Sequence, residues 1–153
     1  MEYSFDTSTI VNGWRRYYPP ELFPSLWTNI ESLIASGSAV ATEAVLWELE
    51  KKDDEIHEWA IEHSEMFVPI DEFIQYSVTD ILGEFPRLLD NRSNRSGADP
   101  FVIGLAQIND LIVVTYEEKT NSLQCPNIPD VCEELGVRCI NLVELVRDQG
   151  WRI

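Results

Sequence analysis

The sequence has little positive charge. It contains 11 Lys and Arg residues against 27 Asp and Glu residues, which gives a formal net charge of −16 at pH 7. Nonspecific binding of nucleic acid needs a basic surface, so this composition on its own argues against such a role. It suits a cationic partner, or an acidic site that collects a divalent metal ion.

Cysteines and long apolar runs are also scarce. The three cysteines, Cys125, Cys132 and Cys139, lie seven residues apart, whereas zinc ligands usually come in pairs about two to four residues apart. No apolar run approaches the roughly 20 residues that cross a membrane. The amino-terminal stretch MEYSFDTST is acidic and enters a predicted strand at once, unlike a signal or transit peptide. We therefore expect a cytoplasmic protein with reduced thiols and no membrane partner.

The remaining composition is that of a globular protein, with 44% hydrophobic and 25% charged residues in a chain of 153. This length predicts one domain over residues 1–153. Short apolar runs alternate with helical patterns, including one long helix over residues 43–63. Strands are predicted at Tyr3–Thr7, Ser38–Ala41, Leu111–Val114 and Val137–Ile140. This alternation predicts an α/β fold, a three-layer α/β/α sandwich with a mostly parallel sheet.

The stretch from Ser96 to Glu118 is the most informative. Asp99-Pro100 predicts a helix start, with Asp99 as the cap. Gly104 weakens this helix and indicates close approach of another backbone. The run Leu111–Val114 then predicts an inner strand, which delivers Thr115 and Glu117 to its carboxyl end, where open α/β sheets keep their sites.

Four carboxylates are predicted near this edge of the sheet: Asp6 after the first strand, Glu48 on the inward flank of the long helix, Asp99 and Glu117. Glu43 lies on the far side of the helix, and its negative charge near the helix N-terminus stabilises the helix. Clustered carboxylates repel, so one pKa must rise or a cation must lie between them. Oxygen-only sites of this kind suit Mg²⁺ or Mn²⁺, which can support phosphodiester hydrolysis.

Four motifs resemble those of the PIN-domain superfamily of metal-dependent nucleases. In chain order they are FDTSTIV at 5–11, VLWELEK at 45–51, SGADPFVIGLA at 96–106 and VVTYEEKT at 113–120. The resemblance extends over nearly the whole chain and is closest to PIN-like proteins found beside antitoxin genes in bacteria, the VapC-type toxins.

The resemblance implies a PIN-like fold and a Mg²⁺- or Mn²⁺-dependent ribonuclease that hydrolyses RNA with a metal-activated water and leaves a 5′-phosphate. It implies Asp6, Glu48 and Asp99 as catalytic metal ligands. The fourth acidic position is usually Asp in the family; here it is Glu117, with Glu118 beside it as the alternative. The implied partners are the RNA substrate, a cognate antitoxin protein and a second copy of the chain in a possible homodimer.

Other residues are candidates for substrate binding. Thr7, Ser8 and Thr115 could position a ligand or a phosphate. Five basic residues near the acidic positions could form a phosphate-binding rim: Arg15, Arg16, Arg92, Arg95 and Lys119. Trp14, Tyr17 and Tyr18 could stack bases, although aromatic residues in a first helix usually pack in the core.

Two other functions stay open. A PIN-like fold without catalysis would be a protein-interaction module whose acidic surface binds a basic partner. Asp6-Thr7-Ser8 also weakly resembles the nucleophile motif of haloacid-dehalogenase phosphatases, but that family has a second Asp where this chain has Ser8.

Overall fold

The computed structural model describes residues 1–89 and 97–153, and its centre is one sheet of five short parallel strands. The strands are β1 (Tyr3–Phe5), β2 (Ala39–Thr42), β3 (Phe67–Val68), β4 (Ile112–Val114) and β5 (Cys139–Ile140). Their spatial order is β3-β2-β1-β4-β5, and each neighbouring pair is parallel. The carboxyl ends of β1 and β4 therefore lie side by side at one edge.

Eight α-helices flank the sheet in the described residues. They are α1 (Thr7–Asn12), α2 (Pro24–Ala35), α3 (Glu43–Lys52), α4 (Asp54–Glu62), α5 (Glu72–Glu84), α6 (Asp99–Asn109), α7 (Ile128–Leu135) and α8 (Leu142–Asp148). A π turn (Gly13–Tyr17) follows α1, and short 3-10 turns cover Ser64–Met66 and Pro86–Leu89. The predicted α/β sandwich with a parallel sheet is confirmed.

In the middle of the chain, one prediction was wrong and one element was missed. The single long helix over residues 43–63 is interrupted at Asp53, whose backbone is extended (φ −164°, ψ 126°). The Asp53 carboxylate accepts hydrogen bonds from the N–H groups of Glu55 and Ile56, so it caps a second helix. The strand Phe67–Val68, paired to the end of β2, was not predicted because two residues carry no readable alternation.

The core fixes α6 against the centre of the sheet. The Ser4 hydroxyl of β1 donates a hydrogen bond to the carbonyl of Val102, and Val102, Ile103, Leu105 and Ala106 are buried. A Cβ atom on Gly104 would lie 3.1 Å from Cγ2 of Val78 in α5. Gly104 was predicted to allow close approach of another backbone; the tightest contact is instead with the Val78 side chain, and the nearest backbone atom, the Ile74 carbonyl oxygen, lies 3.7 Å from this Cβ position.

A cluster of three tryptophans, Trp14, Trp27 and Trp59, lies between the π turn, α2 and α4, with ring centroids 5.0 to 5.9 Å apart. Trp14 is therefore a core residue, as aromatic residues in a first helix usually are. Among the described residues, no helix combines the length and the apolar character needed to cross a bilayer.

Candidate carboxylate site

Asp6 lies at the centre of the site because β1 ends immediately before it. Its own N–H continues the sheet by donating to the carbonyl of Val114 in β4, over 3.0 Å. Its side chain is 1% exposed. Oδ2 accepts hydrogen bonds from the hydroxyls of Ser8 (2.6 Å) and Thr115 (2.8 Å), which fix the orientation of the carboxylate.

Asp99 approaches from the start of α6. Ala98 is the N-cap and Asp99 is the first helical residue, with Pro100 next, so the prediction that Asp99 is the cap was wrong by one position. The consequence is that the Asp99 carboxylate, 1% exposed, lies in the site and does not cap the helix. Pro100 suits this position because the first turn of a helix needs no bond from its nitrogen.

Glu117 comes from the segment that follows β4. The N–H of Glu117 donates to Oγ1 of Thr115 (3.1 Å), and its Oε1 accepts a hydrogen bond from the N–H of Ile128 (3.2 Å), the first residue of α7. A carboxylate at a helix N-terminus is stabilised by the exposed N–H groups there. The neighbouring Glu118 is exposed. Of the two candidates for the fourth acidic position, the structure therefore brings Glu117 into the site.

Asp6, Asp99 and Glu117 form a triad. One carboxylate oxygen of each lies within 4.8 Å of the others, a separation that one metal ion can bridge. Burial, followed by the negative charges of Glu117 and Glu48, raises the pKa of Asp6 from 3.8 to about 7, although its hydrogen bonds with Ser8 and Thr115 lower it. A divalent cation would relieve this repulsion, and oxygen-only donors suit Mg²⁺ or Mn²⁺. The donor set thus fits the predicted metal.

Glu48, the other predicted metal ligand, lies beside the triad. Its Oε2 accepts a hydrogen bond from the hydroxyl of Thr7 (2.7 Å), and its Oε1 accepts one from the N–H of Ala98 (2.8 Å). The side chain therefore joins the start of α1 to the N-cap of α6. Thr7 directly follows Asp6, and Ala98 directly precedes Asp99. Glu48 points inward as predicted, and it holds two elements of the site together.

The three predicted hydroxyl residues are all near the triad. Ser8 and Thr115 bind the Asp6 carboxylate, and Thr7 binds Glu48. The Ser8 oxygen also accepts the N–H of Tyr116 (3.0 Å), so the segment after β4 is attached to the start of α1. Their role in the described structure is to orient carboxylates.

The predicted basic rim is only partly described. Arg92 and Arg95 lie outside the described residues. Arg15 forms an ion pair with Asp53 (2.9 Å), and Lys119 forms one with Glu133 (2.8 Å). Arg16, whose guanidinium lies 5.8 Å from the centre of the Tyr17 ring, forms no ion pair with any described residue.

Sequence reasoning missed two contributors. The first is the hydrogen bond between the Ile128 N–H at the start of α7 and Glu117: a short helix is predicted at residues 129–136, but its contact with Glu117 is not. Tyr116 lies between Thr115 and Glu117, and its ring stacks on Tyr17 with centroids 4.9 Å apart. Nothing in the sequence relates these two rings, which are 99 positions apart.

The fold and the site together define an α/β protein with a carboxylate triad at the carboxyl edge of a parallel sheet, two of whose members are buried. The profile of a family described as a domain of unknown function, DUF4411, matches residues 3–153, and the chain belongs to this family. A search of curated proteins found no match.

Proposed function

We propose that this protein is a divalent-metal-dependent endoribonuclease of the PIN-like type, acting in the cytoplasm as the toxin of a toxin–antitoxin pair. The observation that carries the proposal is the triad. Three carboxylates from the ends of β1 and β4 and the start of α6 converge within 4.8 Å, with two of them almost completely buried. The resemblance of the four motifs supports the reaction class, and the three free thiols support a reducing compartment.

The chain's own residues have distinct roles in this proposal. Asp6, Asp99 and Glu117 would hold Mg²⁺ or Mn²⁺, which supplies a water nucleophile and neutralises charge on the phosphate when bound. Ser8 and Thr115 fix the orientation of the Asp6 carboxylate, and Glu48 joins the start of α1 to the N-cap of α6.

The first test is metal binding, measured by calorimetric titration with Mn²⁺. We expect saturable binding by the wild type, loss of binding in Asp99→Asn, and retention in Glu118→Gln. Glu118→Gln is a matched control because it removes an exposed carboxylate next to Glu117. Equal binding by the wild type and Asp99→Asn would contradict the site.

The second test is hydrolysis. Mn²⁺-dependent cleavage of single-stranded or structured RNA should be present in the wild type and absent in Asp99→Asn. Growth arrest on expression, relieved by Asp99→Asn, would support the toxin role. Metal binding without cleavage of any RNA in a broad screen would contradict the nuclease. A homodimer, expected from the resemblance, is tested by sedimentation of the purified protein.

A second candidate function is a protein-interaction module for a basic partner. The net charge of −16, together with the pairing of Arg15 and Lys119 to carboxylates, favours it because neither cation is left available for phosphate. A folded wild type that binds no Mn²⁺ but captures a basic partner would favour this alternative over the nuclease.

A further inference from the structure

The π turn at Gly13–Tyr17 separates two aromatic side chains. Trp14 and Tyr17 are three residues apart and would lie on nearly the same face of an α-helix. The wider turn, closed by the hydrogen bond from the Tyr18 N–H to the Gly13 carbonyl (2.8 Å), turns them apart. Trp14 packs in the tryptophan cluster, whereas Tyr17 is 51% exposed. Such π segments often occur at functional sites.

Tyr17 lies against Tyr116. The two rings are nearly parallel, with an angle of 8° between their planes and centroids 4.9 Å apart. Tyr116 is held in register with the triad, because its N–H donates to Ser8, whose hydroxyl donates to Asp6. Its chain neighbours, Thr115 and Glu117, both belong to the site. The stacked pair is therefore attached rigidly beside the carboxylates.

A groove of about 290 Å³ runs along this pair. It is lined by the two tyrosines, by Glu117 and Glu118, and by the residues at the start of α8: Asn141, Leu142 and Val143. Its volume lies just below the range for small-ligand pockets, which is about 300–1,000 Å³. Because Glu117 belongs to both the triad and the groove, the two are continuous.

Arg16 adds a cation to this surface. Its guanidinium lies 5.8 Å from the centre of the Tyr17 ring, and it is exposed. Within residues 1–89 and 97–153 it forms no ion pair, in contrast to Arg15. Proteins that bind single-stranded nucleic acid use a cation next to an exposed aromatic ring: the cation binds a phosphate, and a base stacks on the ring.

We propose that Tyr17 and Tyr116 form a platform on which one unpaired base of the RNA stacks, with Arg16 binding a neighbouring phosphate. The platform would lie next to the phosphate that a metal ion bound by the triad would hold. The proposal rests on the proposed nuclease function and narrows its substrate to RNA that is single-stranded at the cleaved position. A base-paired nucleotide could not place its face on the platform, because that face is already stacked in the duplex.

The test measures binding and cleavage separately. The binding probe is a fluorescent single-stranded oligoribonucleotide with phosphorothioate linkages, titrated in Mn²⁺ and followed by anisotropy. Stacking of one base on an aromatic ring predicts that Tyr17→Ala weakens binding roughly 5- to 150-fold. Tyr17→Phe, which keeps the ring, should bind within about twofold of the wild type. Calorimetry should show the same Mn²⁺ binding in all three proteins.

A double-mutant cycle identifies the base. One abasic position at a time is placed along the probe. At one position it should weaken probe binding by the wild type as much as the Tyr17→Ala substitution weakens binding of the intact probe. In Tyr17→Ala, that abasic position should have no further effect. Equal binding of the intact probe by the wild type and Tyr17→Ala, or no binding by the wild type, would overturn the platform.

The outcomes distinguish the platform from the nuclease. RNA cleavage with the same KM in the wild type and Tyr17→Ala would remove the platform and leave the nuclease intact. Probe binding that depends on Tyr17, in a protein that binds no metal and cleaves no RNA, would keep the platform and remove the nuclease. A raised KM at unchanged kcat in Tyr17→Ala supports both.

Discussion

Asp6→Asn should stabilise the metal-free protein at neutral and alkaline pH. Asp6 is buried among other carboxylates, so its charged form is unfavourable in the folded state. Asparagine has nearly the same shape and no charge. Its side-chain oxygen can still accept the hydrogen bonds that Ser8 and Thr115 now donate to Oδ2. The substitution therefore removes the repulsion and retains the packing.

The size of the effect follows from the pKa of Asp6, which burial and the charge of Glu117 raise from 3.8 to about 7. A difference of about 3 units at about 1.4 kcal/mol per unit gives an upper limit of about 4 kcal/mol. The folded state keeps a proton that the unfolded state has already released, so the stability of the wild type falls as the pH rises from about 4 to about 7. The advantage of Asp6→Asn grows over the same window and is constant above it.

Urea unfolding in EDTA at a series of pH values from 4 to 8 measures this difference. Asp53→Asn is a control of opposite sign, because hydrogen bonding by the Ile56 N–H and by Arg15 lowers the pKa of Asp53; this variant should lose stability at neutral pH. Saturating Mn²⁺ should stabilise the wild type, by about 2.7 kcal/mol at 100 times Kd, and not Asp6→Asn. An Asp6→Asn protein that is no more stable than the wild type at pH 8 in EDTA would refute the reasoning.

Two further predictions concern packing and thiols. Gly104→Ala should lower the free energy of unfolding by about 1 kcal/mol in urea, because the clash of the new Cβ with Val78 outweighs the gain in helix propensity. Gly83 has open space around it, so the control Gly83→Ala should raise the free energy of unfolding by about 0.5–1 kcal/mol. A stabilised Gly104→Ala would show that the Val78 side chain can move aside at little cost. In alkylation followed by mass spectrometry, the exposed Cys125 should react first, since a hydrogen bond with Cys139, followed by burial, raises the pKa of the Cys132 thiol; preferential reaction of Cys132 would contradict this.

The placement of the triad could be predicted from the sequence because it depends on chain direction. Asp6 and Glu117 follow stretches that are predicted as strands, and parallel strands put their carboxyl ends at one edge. Asp99-Pro100 indicates the start of a helix, whichever residue is its N-cap. An error of one position at Ala98 did not move Asp99 away from the edge, since element boundaries matter less than element order here.

The features that escaped prediction depend on contacts between distant residues. The helix break at Asp53 had a local signal, the capping ability of Asp, but the flanking apolar pattern continues through it and favoured one helix. The pairing of Tyr17 with Tyr116 depends on the π turn, which directs Tyr17 away from the tryptophan cluster. The hydrogen bonds of Glu48 to Thr7 and Ala98 depend on the packing of α3 against α1 and on the position of the residue that precedes α6, so no single segment of the sequence indicates them.

Glu48 gives the sharpest test of how the site is divided between binding and positioning. Both of its carboxylate oxygens accept hydrogen bonds, from Thr7 and from the Ala98 N–H, whereas the triad is formed by other residues. Glutamine can keep its oxygen on Ala98 and donate its amide to the Thr7 oxygen. Glu48→Gln should therefore weaken these two hydrogen bonds by removing the charge on their acceptor, which should lower the free energy of unfolding in urea by about 1–3 kcal/mol.

In calorimetry, Glu48→Gln should still bind Mn²⁺ saturably. Its affinity should fall by no more than roughly 10- to 100-fold, the loss that is typical when a group that orients a metal ligand is removed. Glu43→Gln is the matched control on the same helix: its carboxylate accepts the Ile70 N–H away from the triad, so Mn²⁺ binding and RNA cleavage should be unchanged. If Glu48→Gln abolished Mn²⁺ binding as completely as Asp99→Asn, Glu48 would be a direct metal ligand. The hydrogen bonds to Thr7 and Ala98 would then have to break when the ion binds, and α1 and the start of α6 would move apart.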